Sequence, residues 1–349
     1  MKILKKVIFL LLGLVALIVA VYLVGPKPAS PQLAVPEFVI PDDLTRIEQM
    51  VQEDTKTPYL KANNQSHLIW ADSIPKKTEY VLLYLHGFSA SPEEGHEMAV
   101  TFAKRYHCNL YNPRLYGHGL EEEEPMLDMN AEKLFHSAAH ALAVAKKLGE
   151  KVIVMATSTG ATLTMPLAAN QDKIHSMIFY SPNFGLADPN SKWLSKPWGL
   201  AIVRQVIGSN YYTWDADEYG HKYWTTRYRL EALIELQALL DKCIQPEVFK
   251  AVKQPVFMGY YYKDQENQDD AISVAAIQEM YPFFGTPTDK LTKLAFPNSG
   301  RHVICNPNSS NDYETVKQAT FRFAEETLGL SPASAKSDAP SDQDIAQAP

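Results

Sequence analysis

The stretch Lys151-Val152-Ile153-Val154-Met155-Ala156-Thr157-Ser158-Thr159-Gly160-Ala161 passes from a short apolar run straight into a serine flanked by small residues. A run of that length predicts a strand buried on both faces, as in a parallel sheet. The small residues that follow predict a helix starting at Ser158. A serine on such a strand-to-helix turn fits the pattern G-x-S-x-G, in which small neighbours let strand and helix approach closely. Ala156 stands at the first small position and Gly160 at the second. Taken alone, a serine in this setting is more often a structural turn or a helix N-cap than a nucleophile.

The same kind of run recurs on either side. Tyr80–Leu85 is apolar and stops at His86-Gly87. Asn109–Pro113 is a shorter candidate strand that leads into Arg114-Leu115-Tyr116-Gly117-His118-Gly119. From Asn130 the period becomes helical: Leu134, Ala138, Ala141, Leu142, Ala145 and Leu148 recur every three or four residues. Asn130 suits the N-cap, Lys146 and Lys147 the last turn, and Gly149 the stop. Ser176–Tyr180, Pro255–Tyr260 and Lys293–Phe296 are further strands, and Tyr313–Leu328 is a closing helix. Strands alternating with helices predict an α/β fold with a mostly parallel, doubly wound sheet. The interval 184–254 has no convincing buried strand and is expected to be an inserted helical cap, assigned to 185–250.

A serine nucleophile needs a base, and the base needs an orienting carboxylate. His302 lies in the loop after the Lys293–Phe296 strand, where it would hang over the C-terminal edge of the sheet. An isolated loop histidine would more often have no role. After the Pro255–Tyr260 strand come three aspartates, Asp264, Asp269 and Asp270. Asp269-Asp270-Ala271-Ile272 best fits a turn that aims a carboxylate inward, so Asp269 is preferred, with Asp270 and then Asp264 as rivals. At least two of the three must be solvated loop charges or caps. His86-Gly87-Phe88-Ser89 directly follows a strand and is placed to present the Phe88 amide. With the Thr159 amide it would form a two-donor oxyanion hole.

The chain order Ser158, Asp269, His302 is that of α/β-hydrolases. In HGFSASP, RLYGHG, ATSTGA and FPNSGRHVI the sequence resembles that superfamily, near its monoglyceride lipase, carboxylesterase and serine aminopeptidase-like group. The resemblance covers roughly residues 78–328. It implies an α/β-hydrolase fold with an eight-stranded sheet and a cap inserted after the sixth strand. It also implies hydrolysis by Ser158, His302 and Asp269 without a metal or organic cofactor. Ala156 and the choice among three aspartates are its departures from the pattern.

Val7–Val24 is 18 uncharged residues, about 27 Å as a helix and close to a bilayer core. Residues 1–6 carry Lys2, Lys5 and Lys6, so the positive-inside rule puts them in the cytoplasm and the rest of the chain outside. A cleaved signal peptide is the rival reading. Its apolar run is usually shorter, and here Gly25-Pro26 replaces a small-x-small site. The expected organisation is therefore an anchor at 7–24, a proline-rich linker at 25–41, a hydrolase domain at 42–330 and a disordered tail at 331–349. A single-pass protein of a bacterial inner membrane facing the periplasm suits this pattern, although a eukaryotic type II protein would look similar. The 349 residues carry a net charge of −7, which becomes −10 without the three leading lysines. So acidic a body excludes nucleic acid as a natural partner. The expected partners are the membrane and a small-molecule or lipid-like acyl substrate.

His136 and His140 share a helix face, but nothing completes an H-E-x-x-H zinc motif. Three widely spaced cysteines are expected as thiols. Nine Trp or Tyr residues lie between Trp193 and Tyr228, to build the cap's own core, to line an apolar pocket, or both. Two other readings share these residues. A serine aminopeptidase would direct Asp215, Asp217 or Glu218 at the substrate's amine, and a non-catalytic binding protein would lack a triad member.

Overall fold

The computed structural model describes residues 2–170 and 173–333. Among them the chain forms strands β1 (His67–Ile69), β2 (Thr78–Leu85), β3 (Asn109–Asn112), β4 (Gly149–Thr157) and β5 (Ile174–Tyr180), then β6 (Tyr211–Thr213), β7 (Arg227–Arg229), β8 (Val256–Tyr260) and β9 (Leu291–Ala295). Seven of these make one sheet, ordered β1-β3-β2-β4-β5-β8-β9, while β6 and β7 form a separate antiparallel ribbon. Within the sheet only β1 runs antiparallel to its neighbour.

The helices are α1 (Lys2–Leu23), α2 (Leu44–Gln52), α3 (His96–Tyr106), α4 (Ala131–Leu148), α5 (Thr159–Ala169), α6 (Gly199–Ile207), α7 (Glu218–Tyr223), α8 (Leu230–Cys243), α9 (Pro246–Ala251), α10 (Val274–Met280) and α11 (Tyr313–Arg322). Strand alternation divides the core. Val81, Leu83 and Leu85 of β2 point to the face covered by α4, α5 and α8. Leu82 and Tyr84 point to the face covered by α3 and α11. Both faces are buried, which is why β2 and β4 read as continuous apolar runs. As predicted, Asn130 caps α4, its Oδ1 accepting from Lys133 N at 2.8 Å.

The resemblance implied eight strands with the cap after the sixth. Among the described residues the sheet has seven, and the cap follows its fifth, β5. The reason lies ahead of β1. There the chain is first proline-rich and then helical, and proline donates no ladder hydrogen bond, so no further edge strand forms.

Helix α1 contains a 21-residue segment, Ile3–Leu23, with mean hydropathy 2.7. It is long and apolar enough to cross a membrane, a test that a signal sequence also passes. Residues 26–41 form neither helix nor strand, in keeping with their five prolines, and they lie along α4. Gln32 N donates to Glu132 Oε1 (2.7 Å), His136 Nε2 to the Ala34 carbonyl (3.1 Å), and Phe38 stacks edge-on to His140 at 5.2 Å. The two histidines therefore hold this segment in place. The tail expected from 331 lies outside the described residues from 334 onward.

Candidate active site

All the parallel strands end at one edge of the sheet. After β2 the chain crosses to β3 on one side, and after β4 it crosses to β5 on the other. Loops leaving β2 and β4 therefore diverge, and the crevice between them is where open α/β sheets bind ligands. Phe88 follows β2, and Ser158 follows β4.

Ser158 adopts φ 53° and ψ −117°, a left-handed conformation that costs a non-glycine residue about 1–3 kcal/mol. The surroundings hold it there. Its N–H donates to the Tyr180 carbonyl at 3.0 Å, and its carbonyl accepts from Asn183 N at 3.1 Å. Two residues earlier, Ala156 is fully buried between Leu85 of β2 and Phe179 of β5, so a methyl is accommodated where the pattern has glycine. Gly160 has no such latitude, since a Cβ there would stand 2.0 Å from the Leu85 carbonyl oxygen. We expect Gly160→Ala to push α5 off β2 and lower stability toward the upper end of about 1–3 kcal/mol. The loss of activity should exceed the loss of folded protein. A thermal melt paired with an active-site titration checks this.

His302 Nδ1 lies 2.7 Å from Asp269 Oδ2 and 2.9 Å from Oδ1. Asp269 is 3% exposed. Its Oδ1 also accepts from the amides of Ala271 (3.0 Å) and Ile272 (3.1 Å). Burial alone would raise its pKa, but the His302 ring and these two amides outweigh burial and hold it below the usual 3.8. Burial would likewise lower His302, yet the Asp269 carboxylate keeps it above the usual 6.5. The rivals are occupied elsewhere. Asp264 organises its own loop, accepting from Glu266 N, Asn267 N and Asn267 Nδ2. Asp270 is exposed at the cleft wall.

The His86-Gly87-Phe88-Ser89 turn is fixed from several sides. His86 Nδ1 contacts the Gly87 carbonyl at 2.8 Å, and its Nε2 accepts from Leu115 N at 3.0 Å. Ser89 has φ 61°, and its carbonyl accepts from Thr225 N of the cap at 2.7 Å. The Phe88 ring packs edge-on against Tyr228 and His118. Thr159, opposite, is the first residue of α5, where helical N–H groups have no intrahelical partner. The Arg114–Gly119 turn lies beneath, tied by Arg114 to Asp54 at 2.6 Å, and does not line the cleft.

Ser158, His302, Phe88 and Ser89 open into one cleft of about 1470 Å³ beneath the cap. Most of the cap aromatics face the cleft. Trp193, Tyr212, Trp214, Tyr219, Trp224 and Tyr228 line the cleft. Tyr211 instead lies under the Arg227 guanidinium, 3.4 Å from its ring centre, and donates to Glu124. All three cysteines are buried thiols. Sequence reasoning missed the Ser89 strap to the cap and the carboxyl of Glu94. Each matters only through residues distant in the chain, so no local pattern marks them.

A family model described as "Alpha/beta hydrolase family" matches residues 82–314. Solved structures share the fold at low identity. One, reported for LipS and LipT, two metagenome-derived lipolytic enzymes, is 17% identical with a TM-score of 0.59, over 76% of this chain and 99% of that one. A monoacylglycerol lipase from Paleococcus ferrophilus is 12% identical (TM-score 0.54, 74% and 96%). Est1E from Butyrivibrio proteoclasticus with bound ferulic acid is 18% identical (TM-score 0.51, 76% and 94%). No curated protein matches the sequence.

Proposed function

The chain belongs to the alpha/beta hydrolase family, and on that premise we propose that it is a membrane-anchored serine hydrolase of carboxylic esters. The observation that carries this reading is the buried Asp269 carboxylate on His302 Nδ1, in the same cleft as the strained Ser158. Ser158 Oγ attacks the ester carbonyl carbon and its proton passes to His302 Nε2. The Phe88 and Thr159 amides receive the oxyanion, each worth roughly 3 kcal/mol when aimed at it. His302 returns the proton to the departing alkoxide. Water then attacks the acyl-enzyme, giving its proton to His302, which passes it to Ser158 Oγ as the acyl C–O bond breaks and the carboxylic acid leaves. Asp269 stays ionised throughout and stabilises the transient imidazolium.

Ester hydrolysis is favoured over the aminopeptidase reading by the cap. Asp217 is engaged as the N-cap of α7, accepting from Gly220 N at 2.8 Å, Glu218 does not line the cleft, and Asp215 stands in a mainly apolar lining with nine aromatic side chains. Anchoring is supported by the end of α1. Trp198, just before α6, donates through Nε1 to the Val21 carbonyl at 3.0 Å and through its amide to the Pro26 carbonyl at 2.8 Å. Tyr22 lines the cleft mouth, and Trp193, Ile202, Val206 and Ile207 are exposed beside it. A bilayer receiving α1 would meet this apolar face, and a lipid-like substrate would reach the cleft from it. The lysines at the start of α1, Lys2, Lys5 and Lys6, then leave the domain on the non-cytoplasmic side.

Fluorophosphonate labelling of the full-length protein in membranes, with the adduct mapped by peptide mass spectrometry, tests the chemistry. Adduct on Ser158 that disappears in His302→Ala supports the reading, and folded protein that never labels overturns it. Carbonate extraction tests the anchor separately, because a chain cleaved after α1 would be released.

A further inference from the structure

The steps above use three side chains and two amides, yet another carboxyl group lies against the same loops. Glu94, in the 3-10 turn Pro92–Gly95, is 1% exposed. Its Oε2 accepts from Gly87 N at 2.7 Å and from the Tyr84 hydroxyl at 3.0 Å. A methyl built on Gly87 would stand 2.8 Å from Glu94 Oε1 and 3.1 Å from Ser158 Cβ, so the carboxyl and the nucleophile flank one glycine. Tyr84, donating to Glu94, is 2.8 Å from Thr157 Oγ1, which is 3.3 Å from Cys305 Sγ. These four groups form a donor chain, thiol to hydroxyl to hydroxyl, ending on the only member that accepts without donating when ionised. The Glu94 carbonyl also accepts from Asn306 Nδ2 at 2.9 Å. One residue thus joins the β2 loop carrying Phe88, the end of β4 carrying Ser158, and the loop carrying His302.

We propose that Glu94 is a positioning residue of this site, holding the Gly87-Phe88 turn in register with Ser158. The proposal rests on the Ser158 reading above. The titratable groups facing Glu94 are Tyr84 of β2 and, from the histidine loop, His302 and Cys305. Burial pushes Glu94 up to about 7, while the Gly87 amide, the His302 ring and Tyr84 hold it down. Burial also drives Cys305 up to about 12 and Tyr84 well above its usual range. Glu94 therefore changes charge near neutral pH, and its carboxylate, like that of Asp269, favours protonated His302.

Steady-state kinetics of the full-length protein on a p-nitrophenyl ester, taken across pH, tests this with Glu94→Gln and Glu94→Ala. The glutamine is isosteric and keeps an oxygen for Gly87 N. It is expected to lower kcat about tenfold with KM nearly unchanged. It should also move the acid limb of kcat/KM to lower pH, because His302 loses a charge that raises its pKa. A purely structural role would not move that limb. The alanine strands the Gly87 N–H and should lower kcat about 100-fold. If Glu94→Gln fails to fold, Tyr84→Phe removes one donor to the same carboxyl and should lower kcat severalfold. Active wild type with variants that match its kcat and acid limb would overturn this inference alone. A folded wild type that neither hydrolyses ester nor labels at Ser158 would overturn the functional reading and this one with it.

Discussion

Replacing Ser158 by alanine is expected to remove ester turnover, by roughly 10⁶-fold, the loss seen when a serine protease is stripped of its nucleophile. The change deletes one oxygen from a site that is 6% exposed. The backbone bonds that fix the turn, Ser158 N to the Tyr180 carbonyl and Asn183 N to the Ser158 carbonyl, remain. Fold and substrate affinity should therefore survive, with a melting temperature close to the parent's. Alanine inherits the positive φ and its strain. Ser158→Gly separates strain from chemistry, because glycine adopts φ 53° without a Cβ clash. It should lose the same rate yet melt above Ser158→Ala, provided the relieved strain, about 1–3 kcal/mol, exceeds the roughly 1 kcal/mol entropic cost of glycine. Turnover with an ester substrate, ligand binding by calorimetry and thermal melts check all three statements. Retention of more than a few percent of the parent's kcat in Ser158→Ala would sink the nucleophile assignment.

Asp269→Asn is expected to lower kcat about 10⁴-fold. Its remaining oxygen still accepts from the Ala271 and Ile272 amides. That orientation turns the amide NH₂ toward His302 Nδ1, which then has to accept rather than donate. The proton moves to Nε2, and the base facing Ser158 is lost. Asp270→Asn and Asp264→Asn should stay within severalfold of the parent, since neither carboxylate pairs with His302 in the structure. The pH profile gives a second check. His302 must be neutral to accept the serine proton, and Asp269 raises its pKa above 6.5. In the parent, kcat/KM should therefore fall as pH drops through a midpoint above 6.5. In Asp269→Asn the residual activity should fall only at lower pH, because the raising charge is gone.

The elements that were legible in the sequence are those whose signal is local. β2, β4, β5 and β8 are buried on both faces, so each appears as an unbroken apolar run whose neighbours need not be known. The helix α4 carries its own period, cap and stop. Ser158 was legible because the turn it occupies demands small residues at fixed offsets. The three-residue edge strand β1 was not, since it is half-buried, without alternation, and defined only by pairing with β3. Nor was the packing of residues 26–41 on α4, because proline content disfavours helix and strand there and does not say what the segment touches.

The sequence alone carries the parallel α/β layout, the inserted cap, and the chain order of the candidate residues Ser158, Asp269 and His302. These follow from burial periodicity and turn chemistry within windows of ten to twenty residues. Among the three aspartates the local pattern preferred Asp269 but left Asp270 and Asp264 as rivals, and the tertiary structure is what brings Asp269 onto His302. All three have the same chemistry, and the choice depends on the register of β8 against β9 and on two amides that hold one of them inward. The same holds for Glu94. It is one of two adjacent glutamates in the sequence, and the approach of β2, the end of β4 and the histidine loop turns it into the carboxyl joining all three. A side chain's burial and partners belong to the packing of distant segments, and no local pattern encodes them.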